Sequence, residues 1–164
     1  MDAYRAIVTK RDTRVYTDRP IEEGVLRRVL QAGRMAGSSK NTQPVRLVVM
    51  RDRDWLKEVA KCGQFTQPLL AAQVGIAVCC PPEGSDFDAG RAAQNMMVAA
   101  WSEGVASCPT SMHDQACIRE KLALPQGWRV VVALALGYPE PSVPMGMGRE
   151  RVALEDYVRW EKWE

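Results

Sequence analysis

Apolar residues recur at helical spacing in one long stretch and crowd into short runs in three others. Ile21, Val25, Leu26, Val29, Leu30, Gly33 and Ala36 follow the period of an amphipathic helix that Pro20 opens. Glu22 and Glu23 fall in its first turn, where the helix dipole favours acids. Residues 46–51 carry the β-branched and apolar content of a strand. Residues 74–80, VGIAVCC, predict a buried strand stopped by Pro81 and Pro82, and 129–137 predict a strong strand. Shorter helices are expected over 2–8, 54–62, 64–73 with a break at Pro68, and 114–122. Ser85 and Asp88 fit a capping box that opens a helix over 86–103, which Gly104 ends. That helix is apolar on most faces (Phe87, Ala92, Ala93, Met96, Met97, Val98, Ala99, Ala100, Trp101) and suits a core or a subunit interface. Together these elements predict an α+β (layered α/β) protein with four to five strands.

The last stretch, 138–164, breaks the pattern. It is Pro- and Gly-rich and then aromatic and charged, with too little apolar content for a core of its own. Its Leu154, Val158, Trp160 and Trp163 need another surface, such as a second subunit. No repeat, low-complexity tract or linker divides the 164 residues, so one domain over 1–164 is expected.

Composition narrows the function classes. The chain is 46% hydrophobic and 26% charged, as in soluble globular proteins. Its 22 basic and 20 acidic residues leave a net charge of +2, too weak to argue for nucleic acid or a membrane surface. The longest purely apolar run, 130–136, is far short of a membrane span, and the N-terminus lacks the apolar core of a secretory signal. Five cysteines, an odd number with no CxxC, point to reduced thiols and a cytoplasmic location. Cys79 and Cys80 end an apolar run and read as buried strand residues.

No metal site is expected, because His113 is the only histidine and no ligand cluster surrounds it. A nucleophilic triad lacks its G-x-S-x-G and a second histidine, a P-loop is absent, and Gly146 and Gly148 make only G-x-G. Basic groups say more. Lys10, Arg11 and Arg14 lie close together, and Arg149 and Arg151 form a second pair. They read either as solvated patches or, if the fold joins them, as a phosphate site. Between the long helix and the first strand stands AGSSKNTQPV, 36–45. A helix C-cap and a turn, with Gly37 or Asn41 left-handed, account for Gly37, Asn41 and Pro44. They leave Ser38, Ser39 and Gln43 without a purpose. Such side chains suit a polyhydroxyl chain or a heteroaromatic edge.

KRDTRVYTDRPI, AGRMAGSSKNTQP, the helix leading into GVASCPTS, LGYP and GRERVALEDYVRWEKW, in that order, resemble the FMN-dependent nitroreductase family. The resemblance implies a central, mostly antiparallel sheet flanked by helices. It also implies an interlocked homodimer with FMN at the interface and 138–164 wrapping the partner. Lys10, Arg11, Asp12 and Arg14 match the block that meets the FMN phosphate and pyrimidine edge; Asp12 stands where many relatives have Ser. Gly37, Ser38, Ser39, Asn41 and Gln43 match the block that reaches the flavin from the other subunit. There Gly37 replaces the usual Pro and Val45 the usual Trp. Pro109, Thr110 and Ser111 fall where relatives set backbone donors against flavin N5, and Arg149 and Arg151 match the pair that closes on the phosphate. The implied activity is hydride transfer from NADH or NADPH through FMN to a nitroaromatic, quinone or similar small acceptor, by ping-pong kinetics and without a dedicated acid–base residue. Reductive dehalogenation, flavin fragmentation and a non-catalytic flavin-binding dimer are the alternatives. The chain is short in its middle, which implies an open or differently covered site.

Overall fold

The computed structural model describes residues 1–143 and 150–163. Along the chain run α1 (Ala3–Thr9), α2 (Glu23–Arg34), β1 (Arg46–Met50), α3 (Arg53–Ala60), α4 (Gln67–Ala71), β2 (Val74–Cys80), α5 (Asp86–Ser102), β3 (Ala106–Thr110), α6 (Gln115–Lys121), β4 (Arg129–Gly137) and α7 (Leu154–Tyr157). Four helices begin where a short polar side chain can accept an orphan N–H. Asp2 accepts from Arg5, Asp52 from Trp55, Ser85 from Phe87 and Asp114 from Cys117.

The four strands form one sheet in the order β1-β2-β4-β3, and every neighbouring pair is antiparallel. β2 lies at its centre and is buried at every position. Its alternate side chains serve two cores. Ala77 and Cys79 face a core with Leu56, Val59, Leu69 and Ile118, from α3, α4 and α6. Val74, Ile76, Val78 and Cys80 face a second core with Val25, Leu26, Val29, Ala93 and Met96, from α2 and α5. The continuous apolar run of β2 follows from this covering of both faces. α2 approaches α5 closely because Gly33 has no side chain: a Cβ there would stand 2.7 Å from Met96 Cγ.

Several expectations change. α2 starts at Glu23 with Glu22 as its N-cap, so Pro20 lies upstream in extended chain and Ile21 is buried ahead of the helix. α4 is shorter than 64–73 and carries Pro68 in its first turn, where a missing N–H costs nothing. β3 was not expected from the apolar pattern, because ASCPT mixes small residues with a proline. Pro109 is tolerated since β3 is an edge strand of the sheet. Phe87 does not join the core face of α5; it is 72% exposed. Finally, Cys62 and Cys117 form a disulfide, where reduced thiols were expected. The end of α3 and the middle of α6 bring their Cα atoms to 5.5 Å, within bonding range. Cys79, Cys80 and Cys108 are free and buried, as strand residues should be. Among the described residues no helix is long and apolar enough to cross a membrane, and no side-chain cluster could hold a metal ion.

Candidate functional site

After α1 the chain cannot continue as helix and turns along the sheet edge. The Thr13 N–H donates to the Ser107 carbonyl at 3.0 Å, and Asp12 bridges Ser107 in parallel register. Three residues after Thr13, Tyr16 turns inward. Its hydroxyl reaches the Thr13 carbonyl and, at 3.2 Å, the Ala135 carbonyl of β4. Gly137 makes room for the ring, since a Cβ there would stand 2.7 Å from Tyr16 Cβ. Burial pushes the Tyr16 phenol well above its ordinary range, helped by the nearby Cys108 thiol and the Asp12 carboxylate. It therefore stays protonated and donating. Thr13 Oγ1 and Ser107 Oγ are buried beneath this clamp without hydrogen-bond partners among the described residues.

The clamp brings Lys10, Asp12 and Arg14 to the edge of the sheet that Pro109, Thr110 and Ser111 share. The cations are not equivalent. Lys10 is drawn in, its side chain 11% exposed, paired with the Asp12 carboxylate and 3.5 Å from Met97 Sδ on α5. Asp12, an acid among cations, thus fixes Lys10. Arg11 donates back to the Val8 and Lys10 carbonyls at 3.1 and 2.9 Å, satisfying the end of α1. Arg14 is exposed and has no ion-pair partner among the described residues. Thr110 spends its hydroxyl on the Ala133 carbonyl at 3.0 Å, whereas Pro109 and Ser111 are exposed.

The loop after α2 has an unusual backbone. Lys40, Asn41 and Gln43 take φ values of 50°, 56° and 50°, a left-handed region that non-glycine residues seldom enter. Side chains hold it there. Ser38 Oγ accepts the Gln43 N–H at 2.8 Å, and Asn41 Oδ1 accepts from Gln43 Nε2 at 3.2 Å. Arg46 donates to the Gln43 and Val45 carbonyls at 2.7 and 2.9 Å. Part of the loop's polarity therefore maintains its own shape, a use that the residue types alone did not reveal. Left-handed Asn41 was expected; Gly37 is not left-handed. Ser39 and Gln43 stay exposed. With α2 and β1 the loop borders a cleft of about 1180 Å³ floored by Leu30, Val45, Leu47 and Val49.

Within one chain these two groups do not meet. The loop feeds β1 at one edge of the sheet, and the clamp lies on β3 at the other. Three strand spacings, about 14 Å, separate the edges. Arg151 is exposed in the C-terminal segment, and Arg149 lies outside the described residues. Tyr16, Ser107 and the Cys62–Cys117 pair were not singled out by sequence reasoning.

Arg14 at the clamp suits an anionic group, and the loop's exposed hydroxyls and amides beside the apolar-floored cleft suit a polar ring edge, but a single chain does not bring the two to one ligand. The model of the nitroreductase family matches residues 7–74 and 81–138, which include the clamp, the loop and β3. A protein of Archaeoglobus fulgidus, provisionally named NADH dehydrogenase/NAD(P)H nitroreductase, is 30% identical over 99% of both chains. A similarly named protein of Methanothermobacter thermautotrophicus is 27% identical over 99% of this chain and 88% of its own. Among solved structures, a nitroreductase of Desulfovibrio desulfuricans in complex with FMN superposes with a TM-score of 0.87. It is 27% identical and covers 100% of this chain and 99% of its own. The chain belongs to the nitroreductase family, a family of oxidoreductases.

Proposed function

We propose that this protein is an FMN-dependent, NAD(P)H-driven oxidoreductase that works as a homodimer. The observation that carries the reading is the likeness, over the whole chain, to the D. desulfuricans protein that binds FMN. The separation of the two ligand-suited groups to opposite sheet edges fits it, because a second copy can supply the loop that one copy's clamp lacks. The exposed apolar residues fit it too. Trp160 and Trp163 are 80% and 88% exposed, and Tyr4, Ile7, Leu154 and Tyr157 are also open, more than a lone subunit normally leaves in water. In this reading 1–164 is one domain of a cytoplasmic enzyme, and 138–164 wraps the partner.

Bound FMN supplies the two-electron chemistry, taking hydride from NADH or NADPH and passing it to a nitroaromatic, quinone or similar small acceptor in ping-pong order. The chain supplies charge and position. Arg14 offers a cation to the negative charge that reduction builds on a ring edge, with Ser111 as a neutral donor. Lys10, Arg11, Arg149 and Arg151 offer cations for a phosphate, and Ser38, Ser39, Asn41 and Gln43 of the second copy offer donors and acceptors on the opposite side. The left-handed loop is set before binding, which lowers the ordering cost.

The test is the visible spectrum of the purified protein, followed by anaerobic addition of each nicotinamide and measurement of molar mass in solution. A yellow dimer bleached by NADH or NADPH and recoloured by a quinone is expected. A monomer without FMN affinity, or a bound flavin that neither nicotinamide reduces, refutes the proposal.

A further inference from the structure

We infer that the Cys62–Cys117 pair is a thiol–disulfide exchange site for a dithiol reductant, and that its state governs how firmly Ser111 is held. The bond joins the turn after α3 to α6. Those helices cover the face of the sheet opposite α2 and α5, so the pair lies away from the helix that suits a subunit interface. The two cysteines differ in access. Cys62 is 1% exposed, whereas Cys117 is half-buried. Cys79, Cys80 and Cys108 are buried in strands, so Cys117 is the cysteine that a reductant reaches. Lys61 precedes Cys62 and Lys121 lies one turn beyond Cys117. Both pair with the single carboxylate of Glu58, which leaves net positive charge near the cysteines. Such charge favours the thiolates that exchange requires.

The packing makes the bond a control more than a staple. α3 and α6 are seated without it. Leu56, Val59 and Ile118 are fully buried, and the Gln115 amide donates to the Met112 and Val130 carbonyls at 2.8 and 2.9 Å. What the bond restrains is local. The turn 62–66 lies against the segment 111–114 that leaves β3. The Asp114 N–H donates to the Cys62 carbonyl at 3.0 Å, and the Gln64 N–H donates to His113 Nδ1 at 3.3 Å. Gly63 passes so close that a Cβ there would stand 2.7 Å from the Ser111 carbonyl oxygen. Thr66 and Met112 are buried, but Gln64, Phe65, Ser111, His113 and Asp114 are exposed. Single hydrogen bonds with so little apolar cover open readily, so a covalent tie beside them decides their order. Disulfides that form in a cytoplasm are commonly redox-sensing, and the inference rests on the proposed function for that location and for Ser111 as a donor to the flavin. In the exchange a reductant thiolate attacks Cys117 Sγ, the S–S bond breaks, and Cys62 leaves as a thiolate that takes up a proton. The second thiol of the reductant then attacks the mixed disulfide and releases Cys117. Two electrons and two protons pass to the pair, and the dithiol departs as a disulfide. The reverse reaction closes the bond again.

The test holds the FMN-loaded protein in glutathione buffers that span the cytosolic range, alkylates it while folded, and maps the modified cysteines by mass spectrometry. Cys62 and Cys117 should become modified together as the buffer turns reducing, while Cys79, Cys80 and Cys108 stay protected. On the same samples, amide hydrogen exchange over 62–66 and 111–114 should quicken by about tenfold, with β2 and β4 unchanged. FMN affinity, read from flavin fluorescence on dilution, should fall by about fivefold, the worth of one hydrogen bond. Cys62→Ala/Cys117→Ala should match the reduced protein in exchange and affinity and ignore the buffer. A bond that stays closed across the cytosolic range overturns the inference, and so does reduction that leaves exchange over 111–114 unaltered. FMN affinity indifferent to the bond overturns the coupling through Ser111, and the inference with it. A protein that takes up no FMN overturns the enzyme reading, while thiol mapping and hydrogen exchange still decide whether the pair controls the segment.

Discussion

Replacing Tyr16 by Phe removes one oxygen from the clamp and little else. The ring stays in the space that Gly137 leaves, but the Thr13 carbonyl loses its hydroxyl partner and the link to Ala135 is cut. Leaving a buried acceptor unpaired costs about 1–3 kcal/mol. With a urea dependence of about 2 kcal/mol per molar, the midpoint should fall by about 1 M. The sharper signature lies at high pH. In the unfolded chain the phenol ionises near its ordinary value of 10.0, while in the folded chain burial holds it above that range. The folded state therefore keeps a proton that the unfolded state releases. The stabilising contribution is complete below pH 10 and declines above it, by about 1.4 kcal/mol per pH unit for one proton. Buried Cys79, whose thiol is pushed up to about 11, adds its own alkaline loss, but equally in both proteins. The difference between unaltered protein and Tyr16→Phe isolates Tyr16. Urea titrations at pH 7, 10, 10.5 and 11, at one protein concentration and with flavin in excess, measure it. The gap between the two proteins should narrow steadily above pH 10. A gap independent of pH refutes the buried, donating phenol, and equal midpoints at pH 7 refute the clamp.

Three further outcomes follow from the packing. The disulfide closes a loop of sequence separation 55, for which chain entropy gives about 4 kcal/mol as an upper figure and 2–4 kcal/mol in practice. Cys62→Ala/Cys117→Ala should lose that stability in urea, and thiol titration of the unaltered denatured protein should count three free thiols, where five would refute the bond. Gly33→Leu drives a side chain into Met96 and should cost at least about 1–3 kcal/mol, read from the thermal midpoint, with the fold retained by circular dichroism. Ending the chain before Leu154 removes the exposed Tyr157, Trp160 and Trp163 and should turn a dimer into a monomer by light scattering; an unchanged mass refutes the tail as an interface.

What the sequence disclosed follows from how local each signal is. β2 and β4 were legible because burial on both sides of the sheet writes itself as unbroken apolar runs, and α5 because Ser85 and Gly104 bracket an Ala- and Met-rich stretch. One cap was legible, because a cap is one residue long: Ser85 begins α5 as expected, whereas the caps at Asp2, Asp52 and Asp114 were not singled out. β3 was not legible, since its strand character comes from pairing with β4 and its residues are small. The Cys62–Cys117 bond depends on two distant helices meeting, which no spacing rule predicts. In the candidate site the composition of the loop was visible but its use of Ser38 and Asn41 as internal struts was not. The separation of loop and clamp to opposite edges came only with the strand order.

That strand order also governs when the protein can fold. The central pair of the sheet is β2 and β4, and β4 is the last of the described strands to leave the ribosome. Until position 137 is made, β2 has only β1 beside it, and the apolar faces of α2 and α5 have no complete sheet to cover. Contacts of such high sequence separation form slowly, and exposed apolar surface during the delay favours aggregation. Yield on expression should therefore respond more to chaperone supply than the final stability suggests. A circular permutant that begins after α5 and makes β4 before β2 should relieve that dependence.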